Sequence, residues 1–168
     1  MNHADPSSIE LIIFDIDGVL TDGSINLNDD GSETKRFNVR DGFGIRLWLN
    51  AGFKVAIITG RSGEALKHRV RSLKIDPELV IQGAQDKSAA LDVILEKTGV
   101  GLQRIAYLAD DWPDIVAMER VGYPMAVNDA EPEVIDLAAY VTTRGGGRGA
   151  GRDAIAHLLK AKDLYQAR

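Results

Sequence analysis

The sequence predicts an α/β protein built on a doubly wound parallel sheet. Short, almost wholly apolar segments alternate with amphipathic stretches of helix length along the 168 residues. Such strands are typical of parallel sheets covered on both faces, and helices of about 10–15 residues between them indicate βαβ units. A hydrophobic content of 45% over this length suits one substantial core. We therefore expect a single Rossmann-like domain over residues 1–168.

The predicted strands and helices follow one another along the chain. Strands are expected at residues 9–14, 53–58, 78–81, 104–108, 123–127 and 139–142. Helices are expected at residues 41–51, 62–73, 86–98, 112–121, 131–137 and 152–163. Ligands bind beyond the carboxyl ends of the strands in open sheets of this class, so the residues that follow each strand are the candidates for a site.

One segment, at about residues 22–38, departs from the alternation. Two short polar runs flank Asn28-Asp29-Asp30-Gly31, which is a strong signal for a hairpin turn. A two-stranded projection this small is marginally stable alone. We expect a small β-hairpin that needs something to pack against.

Composition excludes several classes of function. The chain has no cysteine, which rules out disulfides, thiolate zinc sites and thiol catalysis. Its net charge is −5 and it has no long basic block, so neither nucleic acid nor a membrane is an expected partner. The first residues, MNHADPSS, predict a short frayed tail and not a signal peptide. We expect a cytoplasmic protein.

Polar side chains follow four successive predicted strands: Asp15 and Asp17, then Thr59, then Lys87, then Asp110, Asp111 and Asp114. Each of these alone is also typical of a helix cap or a solvated surface residue. Their joint occurrence in this order is what caps do not explain. Converging carboxylates repel unless a cation lies among them, and hard oxygen ligands select magnesium.

These motifs resemble those of the haloacid dehalogenase superfamily in its phosphatase form. The matching segments are Asp15-Ile16-Asp17-Gly18-Val19-Leu20-Thr21, Thr59-Gly60-Arg61, Lys87 and Asp110-Asp111-x-x-Asp114, and the match covers nearly the whole chain. The segments DGVLTDG, FNVRDGFGIRLW and GGRGAGRD are similar to one subgroup, the 3-deoxy-D-manno-octulosonate 8-phosphate phosphatases of lipopolysaccharide sugar synthesis. The resemblance implies a Rossmann-like fold with the hairpin in place of a cap domain.

The resemblance also implies a division of catalytic roles. Asp15 would attack the phosphoryl group and form an aspartyl-phosphate, while Asp17 would protonate the leaving group and then activate water. Thr59 and the amide of Gly60 would bind phosphoryl oxygens, and Lys87 would neutralise the charge that develops on them.

A magnesium ion is implied by the same resemblance. Its ligands would be Asp15, the main-chain carbonyl of Asp17, and Asp110. Asp111 and Asp114 would orient Lys87 and metal-bound waters. The superfamily usually has glycine before the paired aspartates, where this chain has Ala109. If that position requires a positive φ, alanine costs roughly 1 kcal/mol there.

The hairpin is too small to enclose a sugar, so either a large substrate supplies its own closure or neighbouring subunits close the site. The resemblance implies the second, because the subgroup forms homotetramers whose hairpins pack into a barrel. A polar wall for a carboxylated sugar is expected from the segment after the hairpin and from the helix after Thr59, because arginine forks suit carboxylate and phosphate. The expected substrate-binding residues are Asn38, Val39, Arg40, Asp41, Gly42, Arg46, Gly60, Arg61, Arg69 and Arg148. Asp41 is also a candidate helix cap.

The glycine-rich stretch at residues 144–152 superficially matches a dinucleotide fingerprint, but no strand with a ribose-binding acid follows it. It is either a flexible surface loop or, as the resemblance implies, a mobile tail whose Arg148 reaches a neighbouring active site.

Three functions stay open at this stage. The first is a phosphatase for the eight-carbon sugar acid 8-phosphate, with a nine-carbon 9-phosphate as the sister activity. The second is a non-catalytic tetramerising module, and the third is a phosphatase of broad specificity. The intact charged residues argue against the module, because a scaffold has no use for converging charges.

Overall fold

Six parallel strands form the central sheet of the protein in the computed structural model, which describes residues 3–166. The predicted domain also includes residues 1–2 and 167–168, and the predicted tail includes residues 1–2. These four residues lie outside the described residues. The strands are β1 (Leu11–Phe14), β2 (Asn26–Leu27), β3 (Glu33–Thr34), β4 (Lys54–Thr59), β5 (Val80–Gln82), β6 (Ile105–Ala109), β7 (Tyr123–Ala126) and β8 (Tyr140–Val141). The helices are α1 (Val39–Asn50), α2 (Glu64–Leu73), α3 (Lys87–Thr98), α4 (Ile115–Met118), α5 (Pro132–Leu137) and α6 (Ala150–Ala161).

The strand order of the sheet is β5-β4-β1-β6-β7-β8. The chain therefore winds outward from β1 to β5 and then crosses back to β6, which pairs with the other side of β1. The switch in winding direction lies between β1 and β6, the place where doubly wound folds bind their ligands. The predicted doubly wound parallel sheet is confirmed.

Alternate residues of each strand supply two apolar layers, one on each face of the sheet. On β1, Ile12 and Phe14 belong to one layer, and Leu11 and Ile13 to the other. Helices α1, α2 and α6 cover the first layer, and α3, α4 and α5 cover the second. The nearly continuous apolar character of the strands follows from this burial on both faces.

The observed helices differ from the predicted ones at one or both ends, and two of these differences bear on the site. The predicted helix at 112–121 is a 3-10 turn at Trp112–Asp114 followed by the single turn of α4. Helix α1 begins at Val39, because Asn38 is the cap: its side chain accepts a hydrogen bond from the backbone N–H of Arg40. Asp41 is therefore not the cap but lies within the first turn.

The predicted hairpin is present as β2 and β3, which pair antiparallel over two residues each. Its turn is closed by the N–H of Gly31, which donates to the carbonyl of Asn28 over 2.9 Å, and Gly31 has a φ of +80°. Both strands are largely exposed, and Ile25 and Leu27 present apolar side chains to solvent. Nothing within the described part of the chain covers them.

The first described residues are not a frayed tail. Ala4 donates to the carbonyl of Gly122 over 2.8 Å, and Asp5 caps a 3-10 turn at Pro6–Ser8. Over residues 3–166, none of the helices has both the length and the apolar character that a bilayer crossing would require.

Candidate active site

The switch point between β1 and β6 brings the first and last strand-end aspartates together. Asp15 directly follows β1, and its N–H donates to the carbonyl of Leu108 on β6 over 3.1 Å. Asp110 directly follows β6. Gly18 lets the chain turn between them: its φ is +95°, and a Cβ there would lie 1.9 Å from Asp110 Oδ2. Any side chain at position 18 would thus displace Asp110.

Lys87 lies between two carboxylates at this edge. Its Nζ is 2.7 Å from Asp15 Oδ1 and 2.6 Å from Asp114 Oδ1. The hydroxyl of Tyr107 also donates to Asp114 Oδ1 over 2.7 Å. All four side chains are buried. Lys87 is thus a buried ammonium at the start of α3 that is paired with both Asp15 and Asp114.

Tyr107 was not predicted as part of the site. It lies on β6, where its ring belongs to the apolar layer beneath the site. A buried tyrosine hydroxyl needs a hydrogen-bond partner. A single tyrosine within an otherwise aliphatic strand therefore indicates that a polar group lies nearby. That partner is Asp114.

Three carboxylates and one ammonium share this site, so the negative charge is in excess. Burial, reinforced by the charge of Asp114 and only partly offset by Lys87, raises the pKa of Asp15. Burial and the neighbouring Asp15 and Asp114 raise the pKa of Asp110 to about 8. Burial disfavours the ammonium of Lys87, but the two carboxylates outweigh it and raise its pKa.

The site fits a hard divalent cation. Oxygens of Asp15, Asp110 and Asp114 lie within 4.8 Å of one another, and Asp110 Oδ1 is buried with no hydrogen-bond partner. Asp114 already accepts from Lys87 and Tyr107, which leaves Asp15 and Asp110 as the better ligands. A bound cation would favour the ionised form of Asp15 and Asp110 and so oppose both the burial and the repulsion that raise their pKa values.

Thr59 is the last residue of β4 and is buried. Its Oγ1 accepts from the N–H of Arg61 over 3.3 Å, so the hydroxyl lies within a tight loop that contains Gly60. Helix α2 begins four residues beyond Gly60, at Glu64, and Gly60 itself is exposed. Thr59 is therefore not a helix cap.

Asp17 contacts a residue that sequence reasoning missed. The ammonium of Lys35, just after β3, donates to Asp17 Oδ1. The other oxygen, Asp17 Oδ2, is buried and has no hydrogen-bond partner. No local pattern distinguishes Lys35 from a solvated lysine, because only the folded hairpin brings it to Asp17.

Ala109 does not carry the strain considered from the sequence. It is the last residue of β6, fully buried, and paired with Ala126 of β7. Among the described residues, only Lys74 and Asp163 are non-glycine residues with positive φ. The extended backbone at this position accommodates alanine without the expected conformational cost.

Three of the expected substrate-binding residues lie together. Asn38, Arg40 and Arg148 line a cavity of about 400 Å³, which Arg36, Phe37 and Gly147 also line. The cavity borders the segment after Asp17, because the N–H of Gly147 donates to the carbonyl of Val19 over 2.9 Å. The side chain of Asn38 donates to the carbonyl of Gly147 over 3.1 Å.

Three other expected substrate-binding residues form hydrogen bonds within the chain. Arg46 donates to the carbonyl of Leu73 over 3.0 Å, at the end of α2 remote from the strand ends. Arg69 donates to the carbonyl of Asn38 over 3.0 Å. Asp41 is buried and accepts from the N–H of Arg152 over 2.9 Å, and burial raises its pKa.

Three more of the expected substrate-binding residues differ in their exposure to solvent. Val39 is exposed at the start of α1, Gly42 is buried, and Arg61 is exposed and paired with Glu33 of the hairpin. A Cβ on Gly42 would lie 2.4 Å from a guanidinium nitrogen of Arg69, so glycine there allows the close packing of α1 on that side chain.

The glycine-rich stretch packs against its own chain. A Cβ on Gly146 would lie 1.7 Å from the carbonyl oxygen of Gly18, and one on Gly147 would lie 2.5 Å from the N–H nitrogen of Asp22. The N–H of Gly146 donates to Asp129 Oδ1 over 2.8 Å. The glycines therefore allow close contact with the segment after Asp17, and the exposed side chain of Arg148 is what extends outward.

Comparison with known proteins agrees with the fold and places the chain among known enzymes. A family model of haloacid dehalogenase-like hydrolases matches residues 80–149. The 3-deoxy-D-manno-octulosonate 8-phosphate phosphatase KdsC of Escherichia coli K12 is 44% identical over 159 residues, which cover 95% of this chain and 84% of that protein. KdsC of Salmonella typhi is also 44% identical, over 92% of this chain and 81% of that protein.

The solved structures that resemble this chain include phosphatases of the same kind. The Yersinia pestis 3-deoxy-D-manno-octulosonate 8-phosphate phosphatase has a TM-score of 0.92 and 41% identity, covering 95% of this chain and 85% of that one. The Moraxella catarrhalis enzyme, solved with magnesium ion, phosphate ion and KDO, has a TM-score of 0.91 and 38% identity, covering 95% of this chain and 90% of that one.

The doubly wound fold and the carboxylates at its switch point are those of a haloacid dehalogenase-like hydrolase. Within that superfamily, the chain belongs to the family of 3-deoxy-D-manno-octulosonate 8-phosphate phosphatases.

Proposed function

We propose that the protein is a magnesium-dependent phosphomonoesterase that removes phosphate from 3-deoxy-D-manno-octulosonate 8-phosphate through an aspartyl-phosphate. The observation that carries this proposal is the convergence of Asp15, Lys87, Asp110 and Asp114 at the β1–β6 switch point, in a chain 44% identical to KdsC. Rigid strand ends hold the carboxylates in place, which is how such a site is pre-aimed at a reacting phosphorus.

Asp15, the main-chain carbonyl of Asp17, and Asp110 would hold the magnesium ion. When bound, the ion would neutralise charge on the phosphoryl group and keep the nearby carboxylates ionised. Asp111 and Asp114 would act from outside this set. Asp114 bonds Lys87 and Tyr107, whereas Asp111 is exposed and caps the turn at Trp112.

The reaction would take place in two displacements. A carboxylate oxygen of Asp15 forms a bond to phosphorus while the bond from phosphorus to the sugar oxygen breaks, and that oxygen takes a proton from the Asp17 carboxyl. Water then attacks the acyl-phosphate and gives its proton to the Asp17 carboxylate. The bond from phosphorus to Asp15 breaks, and inorganic phosphate leaves.

Thr59, the amide of Gly60 and Lys87 would hold the phosphoryl oxygens during both displacements. Lys87 is suited to this role because its ammonium is buried and already oriented by Asp114, so little reorganisation accompanies the reaction. The hydroxyl of Thr59 lies at the neighbouring strand end.

We propose that the eight-carbon sugar acid binds in the cavity of Asn38, Arg40 and Arg148. Arginine forks can donate two parallel hydrogen bonds to its carboxylate, and the glycine-rich stretch brings Arg148 to the rim of the cavity. Arg61 and Arg69 are candidates for the remaining polar contacts. Both now pair within the chain, with Glu33 and with the carbonyl of Asn38, so binding through them would exchange those contacts.

The substrate is tested by phosphate release over a panel of phosphomonoesters, each with magnesium and with a chelator. The panel contains the eight-carbon sugar acid 8-phosphate, the nine-carbon 9-phosphate, simple hexose phosphates and nucleotides. We expect the highest kcat/KM with the eight-carbon substrate, and none with chelator. Equal rates across the panel would contradict the sugar-acid assignment, and a preference for the 9-phosphate would replace it with the sister activity.

Magnesium binding is expected to depend on pH with a definite sign. The pKa of Asp110 in the folded, metal-free protein is about 8, and that of Asp15 is also raised, well above the roughly 3.9 of an unfolded aspartate. The folded protein thus holds protons that the unfolded chain has lost, and this stabilisation disappears as pH rises through the folded-state values. Magnesium takes the place of those protons, so it should bind more tightly at higher pH.

The measurement is thermal unfolding with chelator and with magnesium at about pH 5.5 and about pH 8.5, on either side of these pKa values. We expect the Tm with chelator to fall as pH rises, and the increase in Tm that magnesium causes to be larger at the higher pH. An increase in Tm that is independent of pH would contradict the assignment of these carboxylates as ligands.

We further propose a homotetramer in the cytoplasm, in which neighbouring subunits close the site. The exposed Ile25 and Leu27 on the hairpin support it, because a two-stranded projection of this size needs packing to persist. Leu27→Asp should shift the protein from tetramer to smaller species in light scattering and lower its activity. Val93→Asp, on the exposed face of α3, is the matched control. A fully active wild-type monomer would exclude the proposal.

A further inference from the structure

Lys35 is not a solvated surface lysine, although it lies on a largely exposed hairpin. Its side chain is only 9% exposed, its ammonium donates to Asp17, and it lies 3.5 Å from Glu33 Oε1. An ammonium buried to this degree is stable only when it is paired. The hairpin therefore supplies a charged group to the site itself and does more than cover it.

Glu33 extends this contact toward the phosphate loop. Its second oxygen, Oε2, accepts from the guanidinium of Arg61, which directly follows Thr59 and Gly60. An ionic row thus links Asp17, Lys35, Glu33 and Arg61. It crosses from the end of β1, through the hairpin, to the loop at the end of β4.

The two oxygens of Asp17 differ as a result. Oδ1 is held by Lys35, while Oδ2 is buried and has no partner among the described atoms. A buried, unpartnered carboxylate oxygen costs free energy unless a ligand supplies its bond. Holding Oδ1 fixes the side-chain rotamer, so that Oδ2 is the oxygen left for a proton-bearing ligand.

We propose that Lys35 is a positioning residue for Asp17. It holds one carboxylate oxygen so that the other meets first the leaving oxygen of the substrate and then the attacking water. The proposal rests on the proposed function, because it assigns Asp17 the proton transfers. Two carboxylates already occupy the ammonium of Lys35, so it acts through Asp17 and not by binding the sugar.

The test compares leaving groups. An alkyl phosphate needs a proton on its departing oxygen, whereas p-nitrophenolate departs without one, so the first displacement on p-nitrophenyl phosphate bypasses the acid. In Lys35→Met we expect kcat on the sugar-acid phosphate to fall on the order of 10–100-fold, part of the usual contribution of acid–base catalysis, with little change in KM. On p-nitrophenyl phosphate a burst of one p-nitrophenolate per site should remain, followed by slow turnover, because hydrolysis of the acyl-phosphate still uses Asp17.

Further variants separate positioning from structure. Lys35→Arg should recover most of the activity, because the guanidinium can still hold Asp17. Glu33→Gln weakens the contact that holds Lys35 but keeps the lysine. Its loss of kcat should depend on the leaving group as in Lys35→Met, but should be smaller. Lys97 is an exposed lysine of α3 that pairs with Glu78. Lys97→Met should leave the turnover of both substrates unchanged.

Several outcomes would overturn the proposal. Equal losses on both substrates in burst and steady state would show general damage to the site, and a raised KM at unchanged kcat would show direct substrate binding. If the wild type hydrolyses some other alkyl phosphate and not the sugar-acid phosphate, the substrate assignment fails. The comparison of Lys35 variants is then made on that alkyl ester, and its result still decides the role of Lys35.

Discussion

Replacing the carboxylate of Asp15 by an amide, in Asp15→Asn, is expected to abolish magnesium-dependent phosphate release while the protein stays folded. An amide cannot form the acyl-phosphate, so the fall in kcat should be roughly 10⁴-fold or more, as for loss of a nucleophile elsewhere. Folding should survive because asparagine has the same shape and its carbonyl can still accept from Lys87, which is 2.7 Å from Asp15 Oδ1.

The same variant makes a second, independent prediction. The raised pKa of Asp15 means that the folded, metal-free protein resists its ionisation. Removing that charge should therefore leave the Tm with chelator unchanged or higher at alkaline pH, while the increase caused by magnesium shrinks. Rapid quenching with acid should find phosphoenzyme in the wild type and none in the variant.

The control is Asp136→Asn, a matched substitution on the exposed surface of α5. It should change neither activity nor Tm. Retained magnesium-dependent turnover in Asp15→Asn would remove Asp15 as the nucleophile. A variant that loses activity together with its cooperative unfolding transition would show that Asp15 serves the fold.

The strand-end residues could be found from sequence because a parallel sheet converts chain order into position. Each buried strand runs in the same direction, so Asp15, Thr59 and Asp110 reach one edge wherever their strands lie in the sheet. The helix start supplies Lys87 by the same topology. The apolar pattern locates the strands, and the common direction of the strands then places their last residues at one edge of the sheet. This inference requires no knowledge of side-chain contacts.

Contacts between distant segments could not be found in this way. Lys35 reaches Asp17 because the hairpin folds back, and Tyr107 on β6 donates to Asp114 at the end of the 3-10 turn that follows the strand. Both depend on loop geometry. Neither polar pairing leaves a periodic signal in the sequence.

The contacts of helical side chains near the site do not follow from their positions in the sequence. Arg46 follows Asn38 by eight positions, which is about 12 Å along a helix, and its guanidinium donates to the carbonyl of Leu73. Asp41 lies in the first turn but faces inward, toward the N–H of Arg152. Beyond the first turn of a helix, closeness in sequence is therefore weak evidence for closeness to a site, because each turn adds about 5.4 Å along the axis.

Removing the ammonium in Lys87→Met is expected to lower kcat on the order of 10²–10³-fold, the usual effect of deleting one pre-organised charge-stabilising group. Methionine preserves the length and apolar stem of the side chain, so the packing of α3 should be kept. Asp15 and Asp114 lose their shared donor, and the negative charge of the site rises by one.

That added charge predicts how stability will change. Without Lys87, which lowers the pKa of both Asp15 and Asp114, these pKa values should rise further above that of an unfolded aspartate. The variant with chelator should therefore lose more Tm than the wild type as pH is raised, and magnesium should restore a larger share of it.

Lys97→Met on the same helix is the matched control, because it removes an ammonium whose carboxylate partner, Glu78, is largely exposed. Exposed pairs of this kind contribute little to stability, so it should change Tm slightly and kcat not at all. If Lys87→Met behaved like this control, the buried ammonium would have no part in phosphoryl transfer. The expected result is a loss of kcat in Lys87→Met alone, together with a Tm in chelator that depends more steeply on pH. It would show that Lys87 both contributes to phosphoryl transfer and balances the charge of the site.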